Sequence, residues 1–229
     1  MKNLLVFIMS LVAVNNFARA NGACGGSVAE DIQKTTQKLE QRYTEILGRP
    51  FIFNPTNAPQ FLEGDRSDKA ILIIHGFTAT PFEITDLAKH LNSQGYTVYA
   101  PVTTSFGSTS FEIANELSSI ETWRNSVSAS VELLARCYPK ISMIGFSLGG
   151  GLVADYLTQN KQSSLNLVDS AVFISPYIAP YESSGDLIVG VLKTLGVRGV
   201  PVSWLNTLTF GQMDDLKAII RNKENYNSE

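Results

Sequence analysis

Two hydrophobic periods alternate along the chain. Val28, Ile32, Leu39, Tyr43 and Ile46 recur near the 3.6-residue spacing of an amphipathic helix, which Gly48 and Pro50 end. Residues 51–68 are rich in Pro, Asn and Asp and predict a loop with one short strand. Ala70-Ile71-Leu72-Ile73-Ile74 is an unbroken apolar run, as in a strand buried on both faces of a parallel sheet. A helix is predicted over Pro81–Gln94, with Thr80 as N-cap, Pro81 in its first turn and Gly95 past its end. A strand follows at Tyr96–Ala100, closed by Pro101. The helix predicted over Ile120–Cys137 carries Trp123, Val127, Val131 and Leu134 on one face. Next come a strand at Ile141–Ile144, a helix over Leu148–Asn160 and a strand at Ser170–Ile174 before Pro176. Strands alternating with helices imply an α/β fold, a mostly parallel sheet with helices on both faces. After Pro180 the rhythm breaks. Asp186–Leu195 is helical in period, Trp204–Phe210 is apolar, Asp214–Arg221 is a short helix, and no strand–helix pair follows.

The first 20 residues form a separate unit. Lys2 precedes an apolar run from Leu4 to Val14, and Ala18-Arg19-Ala20 has small residues where a signal peptidase reads. A membrane span needs roughly 20 apolar residues. A signal peptide over 1–20, cut after Ala20, is therefore expected, with an exported, periplasmic or secreted product and no stable membrane span. The leader holds no acid, so losing Lys2 and Arg19 takes the net charge from −3 to −5. No basic stripe is visible, which argues against nucleic acid and anionic membrane as partners. Cys24 and Cys137 are the two cysteines. In an exported chain they form either one disulfide or two thiols. A lipidated Cys24 is the third alternative, disfavoured because Asn21-Gly22-Ala23 lacks the usual leucine. His75 and His90 are the only histidines, and no Cys/His cluster has metal-ligand spacing.

The candidate chemistry lies at two strand ends. Gly145-Phe146-Ser147-Leu148-Gly149 is G-x-S-x-G between a strand and a helix, the pattern of a nucleophile elbow. The serine stands on a sharp turn, and Gly145 and Gly149 leave room where side chains would collide. Upstream, His75-Gly76-Phe77-Thr78 directly follows the Ala70–Ile74 strand. An acyl transfer creates an oxyanion that needs two N–H donors. The Leu148 and Phe77 amides are the expected pair. His75 is expected to hold the loop by hydrogen bonds and His90 to face solvent.

The stretches "ILIIHGFTATPFEITDLAKHLNSQGYTVYAP" and "ISMIGFSLGG" resemble the α/β-hydrolase superfamily, over roughly residues 60–180. Within it, the sequence is most similar to bacterial carboxylesterases and monoacylglycerol lipases, including the serine aminopeptidase-like branch. The resemblance implies Ser147 as catalytic nucleophile, Phe77 and Leu148 as oxyanion hole, a small-molecule ester or acyl substrate, and no cofactor or metal. It also implies an acid and a histidine after two further strands, beyond a helical cap. Here the chain departs from the pattern. It reads Ser105-Phe106-Gly107 where many relatives carry Gly-His-Gly, and no histidine follows His90. Asp214 and Asp215 open a short helix and fit helix N-terminal acids better than a triad acid.

The expected organisation is a signal peptide over 1–20, an N-terminal helix and loop over 21–68, and a hydrolase domain over 69–229. A cap-like region occupies about 181–229. The expected function is an exported serine hydrolase of carboxylic esters whose C-terminal strands, acid and base are missing through truncation. The alternative is a catalytically inactive hydrolase-fold protein that binds an apolar ligand or a partner. A sheet left without its last strands is also expected to self-associate.

Overall fold

The computed structural model describes residues 2–177, with side chains from Cys24 onward except those of residues 162, 163 and 165. The elements are helix α1 (Lys2–Leu47), strand β1 (Gln60–Leu62), β2 (Lys69–Ile74), α2 (Thr85–Ser93), β3 (Thr97–Ala100), α3 (Phe111–Leu117), α4 (Ile120–Ala135), β4 (Lys140–Phe146), α5 (Leu148–Gln159), α6 (Lys161–Leu167) and β5 (Val168–Ile174). The strands form one sheet in the order β1-β3-β2-β4-β5. All neighbours run parallel except β1, which pairs antiparallel with β3.

The unbroken apolar run of β2 has its physical reason in two separate cores. Ala70, Leu72 and Ile74 point to one face and meet Val28 and Ile32 of α1, Val127, Val131 and Leu134 of α4, and Leu152 and Val153 of α5. Ile71 and Ile73 point to the other, against Ile84 and Ala88. A third cluster gathers Tyr43, Phe51, Phe53, Val102, Phe106 and Ile113 beneath the loop after β3. The N-terminal helix thus packs into the same body as the sheet.

Some expectations shift. The helix foreseen over Pro81–Gln94 opens as a 3-10 turn at Pro81–Ile84 before α2. The Thr80 cap explains this: its side chain takes the Phe82 N–H, and its carbonyl takes the Glu83 N–H at 3.2 Å, an i to i+3 closure. β5 starts at Val168, because a bulge opposite Ile141/Ser142 carries the pairing further back. Helices α3 and α6, seven residues each, are too short to announce themselves by period. The Arg124 guanidinium grips Asp155 at 2.6 and 2.8 Å, joining α4 to α5.

Cys24 and Cys137 are joined in a disulfide, with Cα atoms 5.7 Å apart. The link fastens α1 to the chain just after α4, and Arg136 pairs with Asp31 beside it at 2.8 Å. No described helix is long and apolar enough to cross a membrane. β5 ends the described sheet, and Val172, Phe173 and Ile174 are exposed among the described residues. The expected cap, with Asp214 and Asp215, lies outside the described residues.

Candidate active site

The sheet reverses its direction of growth at β2. From β2 the chain passes through α2 to β3 on one side, whereas β4 lies on the other. Open α/β sheets bind ligands in the crevice that such a reversal leaves at the carboxyl ends of the strands. The register sets Ile74 beside Gly145, and Phe146 beside Ile174. The next residues on each strand, His75-Gly76-Phe77 and Ser147, therefore meet at that crevice.

Ser147 has φ 51° and ψ −117°, a conformation that costs a non-glycine residue roughly 1–3 kcal/mol. Backbone hydrogen bonds hold it there. Its N–H donates to the Ile174 carbonyl at 2.9 Å. Its own carbonyl accepts from Tyr177 at 2.8 Å and from Gly150 at 3.0 Å. The side chain is half-buried, and nothing among the described residues hydrogen-bonds its hydroxyl. Thr78, Ser105 and Ser175 also have positive φ. These four strained residues follow the carboxyl ends of β2, β3, β4 and β5, so the strain collects around the crevice.

Space around the elbow is accounted for to the last methyl group. A Cβ at Gly145 would sit 2.5 Å from the Gly149 carbonyl oxygen and from Gly150 Cα. One at Gly149 would lie 2.5 Å from the His75 carbonyl oxygen and nearer still to that of Ile74. One at Gly76 would lie 3.2 Å from Ser147 Cβ, which shows how closely the loop after β2 approaches the serine. Leu148 opens α5, where N–H groups lack intrahelical partners and the dipole is positive. Among the described residues, no hydrogen bond occupies the Leu148 or Phe77 amide.

The two histidines do different things. His75 is buried; its Nδ1–H donates to the Gly76 carbonyl at 2.9 Å and its Nε2 accepts from the Thr103 N–H at 3.0 Å. It clamps the loop after β2 to the loop after β3, and both ring nitrogens are spent. Burial lowers its pKa from 6.5 to about 4, so the ring is neutral at pH 7. The folded state then binds fewer protons than the unfolded chain between these values, and stability falls as pH drops from 6.5 towards 4. The expected loss between pH 7 and 4.5 is on the order of 2–3 kcal/mol. Urea titrations at both pH values measure it, and His75→Gln should flatten the dependence. His90 is exposed in the last turn of α2, a helix that packs on β3 and β1.

Residues 65–228 match the family described as serine aminopeptidase, S33. The chain belongs to this α/β-hydrolase family. A carboxylesterase of Bacillus subtilis strain 168 is 34% identical over 83 residues, 36% of this chain and 33% of that protein. A structure described under LipS and LipT, two metagenome-derived lipolytic enzymes, is similar with a TM-score of 0.52 at 26% identity, covering 60% of this chain and 52% of that one. A monoacylglycerol lipase of Paleococcus ferrophilus aligns with a TM-score of 0.47 at 21% identity, over 60% of this chain and 50% of its own. The chain thus aligns with about a third of the curated relative and half of the solved ones.

In this member of the S33 family the turn after β3 is braced by residues that sequence reasoning passed over. Ser105 (φ 82°) gives its N–H to the Tyr43 hydroxyl at 2.8 Å, and that hydroxyl donates to the Phe106 carbonyl at 3.0 Å. The Ser105 hydroxyl accepts from Trp123 Nε1–H at 3.1 Å and from Ser118 at 2.9 Å. No local signal joins Tyr43 to a turn 62 residues later; only the fold does. Tyr43→Phe would orphan two buried backbone groups and is expected to cost about 1–3 kcal/mol in a denaturant titration.

Proposed function

We propose that the chain carries the nucleophile and oxyanion hole of an exported carboxylic-ester hydrolase. The observation that supports this best is Ser147 itself: a strained serine between two sterically required glycines, its hydroxyl unpaired among the described residues, next to two open amides. In the reaction, Ser147 Oγ attacks the ester carbonyl and its proton passes to a base. The Phe77 and Leu148 amides receive the oxyanion, and the alcohol leaves with a proton. Water then releases the acid from the acyl-serine.

The base is where a second reading finds its support. His75 has both nitrogens engaged and a depressed pKa, and His90 is exposed on α2. The chain has no other histidine. A hydrolase-fold protein that binds an acyl ligand without turning it over fits that arrangement. Covalent labelling by a fluorophosphonate and turnover of a nitrophenyl acetate, in the wild type and in Ser147→Ala, separate the two readings. Labelling and turnover that both vanish in the variant support the hydrolase. A wild type that takes no label and turns nothing over overturns the hydrolase reading for this chain.

Export rests on Lys2, the Leu4–Val14 run and Ala18-Arg19-Ala20, and the disulfide suits an oxidising compartment. The mature protein is expected to begin at Asn21, as N-terminal sequencing would read; an intact leader on the protein outside the cytoplasm would overturn this.

A further inference from the structure

We propose that Phe77, Phe106 and Trp123 form an aromatic corner that docks a planar ring carried by the ester, on its acyl or its alcohol side. The proposal names a substrate class for the Ser147 site and rests on that reading. Phe106 and Trp123 are stacked, 5.7 Å apart at 23°, and because Phe106 is buried the half-buried Trp123 supplies the accessible base of the corner. Phe77 stands almost perpendicular to both, 5.6 Å from Phe106 at 85° and 6.4 Å from Trp123 at 72°. Phe106 is buried and also packs edge-on against His75 at 5.5 Å. Trp123 is pinned through its indole N–H to Ser105. The corner is therefore built on fixed rings.

Its upright wall is open. Phe77 is 60% exposed among the described residues, a large apolar surface at the mouth of the crevice. Its amide is one of the two proposed oxyanion donors, and its neighbour Gly76 borders Ser147. An ester whose carbonyl oxygen sits on that amide carries its flanking groups within reach of the Phe77 ring. A planar ring in the corner can stack on one wall while pointing an edge at the other, an arrangement the aromatic quadrupole rewards. A saturated ring of like size fills the same space without that gain.

The test is ligand-observed NMR titration of Ser147→Ala, in which no ester is consumed. Methyl phenylacetate is compared with methyl cyclohexylacetate, and 2-phenylethyl acetate with 2-cyclohexylethyl acetate. The aromatic member of at least one pair is expected to bind about 2- to 10-fold more tightly. The pair that shows it tells which side of the ester carries the ring. The preference should disappear in Ser147→Ala/Phe77→Leu, which keeps the backbone amide and changes an exposed side chain. Equal binding within both pairs overturns the corner. So does no binding at all, the outcome expected if residues 178–229 cover Phe77. Neither result touches Ser147 as nucleophile, which fluorophosphonate labelling of the wild type reads independently.

Discussion

Gly149→Ala is expected to cost at least about 3 kcal/mol, the upper end for overpacking, and Gly145→Ala nearly as much. A buried methyl group is often accommodated when a flexible side chain can swing aside. Here the obstructing atoms are backbone. They are the carbonyl oxygens of Ile74 and His75 in one case, and Gly149 and Gly150 in the other. Relief would require β2 to move from α5, or α5 from β4, against the Ile74–Gly145 register and the bonds that hold Ser147. A domain stable by about 5–15 kcal/mol loses a large share of that. Urea titration of both variants measures the loss. Gly26→Ala is the control: Gly26 lies in α1 with nothing within 4 Å of an added Cβ, and it should gain roughly 0.5–1 kcal/mol. Wild-type stability in Gly149→Ala would mean that the helix does not press on the strand as described.

Loss of the disulfide is the second large effect. Replacing Cys24 and Cys137 together by serine is expected to cost about 2–5 kcal/mol. The bond closes a loop of sequence separation 113, long enough to remove much conformational freedom from the unfolded chain. It also secures α1 near Val28 and Ile32, whose burial completes one face of the core. Adding dithiothreitol to the wild type should lower its melting temperature to that of the double serine variant, which the reductant leaves unchanged. A wild type indifferent to reductant would show that the noncovalent packing of α1 suffices.

What could be read from the sequence was what local chemistry determines. β2 declares itself because burial on both faces forbids any polar residue from Ala70 to Ile74. The Thr80–Pro81 start and Gly95 stop of the next helical segment are likewise local. So is the elbow, since its glycines clear space for atoms only a few residues away or on the adjoining strand. What escaped depends on distant pairings. Two cysteines 113 residues apart are compatible with thiols or a bridge until α1 is laid against α4. Tyr43 looks like one more apolar position on a helix, yet its hydroxyl holds Ser105 and Phe106. Ser105-Phe106-Gly107 carries no local signal of its role. In the fold, Phe106 packs edge-on against His75 and Phe77 and stacks on Trp123.

The long reach of the Cys24–Cys137 link also sets a timetable. In a chain made from its amino end at roughly 5–20 residues per second, Cys24 emerges on the order of ten seconds before Cys137. Throughout that interval its thiol has no intramolecular cysteine partner for exchange. The bond can close once Cys137 has been made, and the packing of α1 beside α4 brings the two cysteines together.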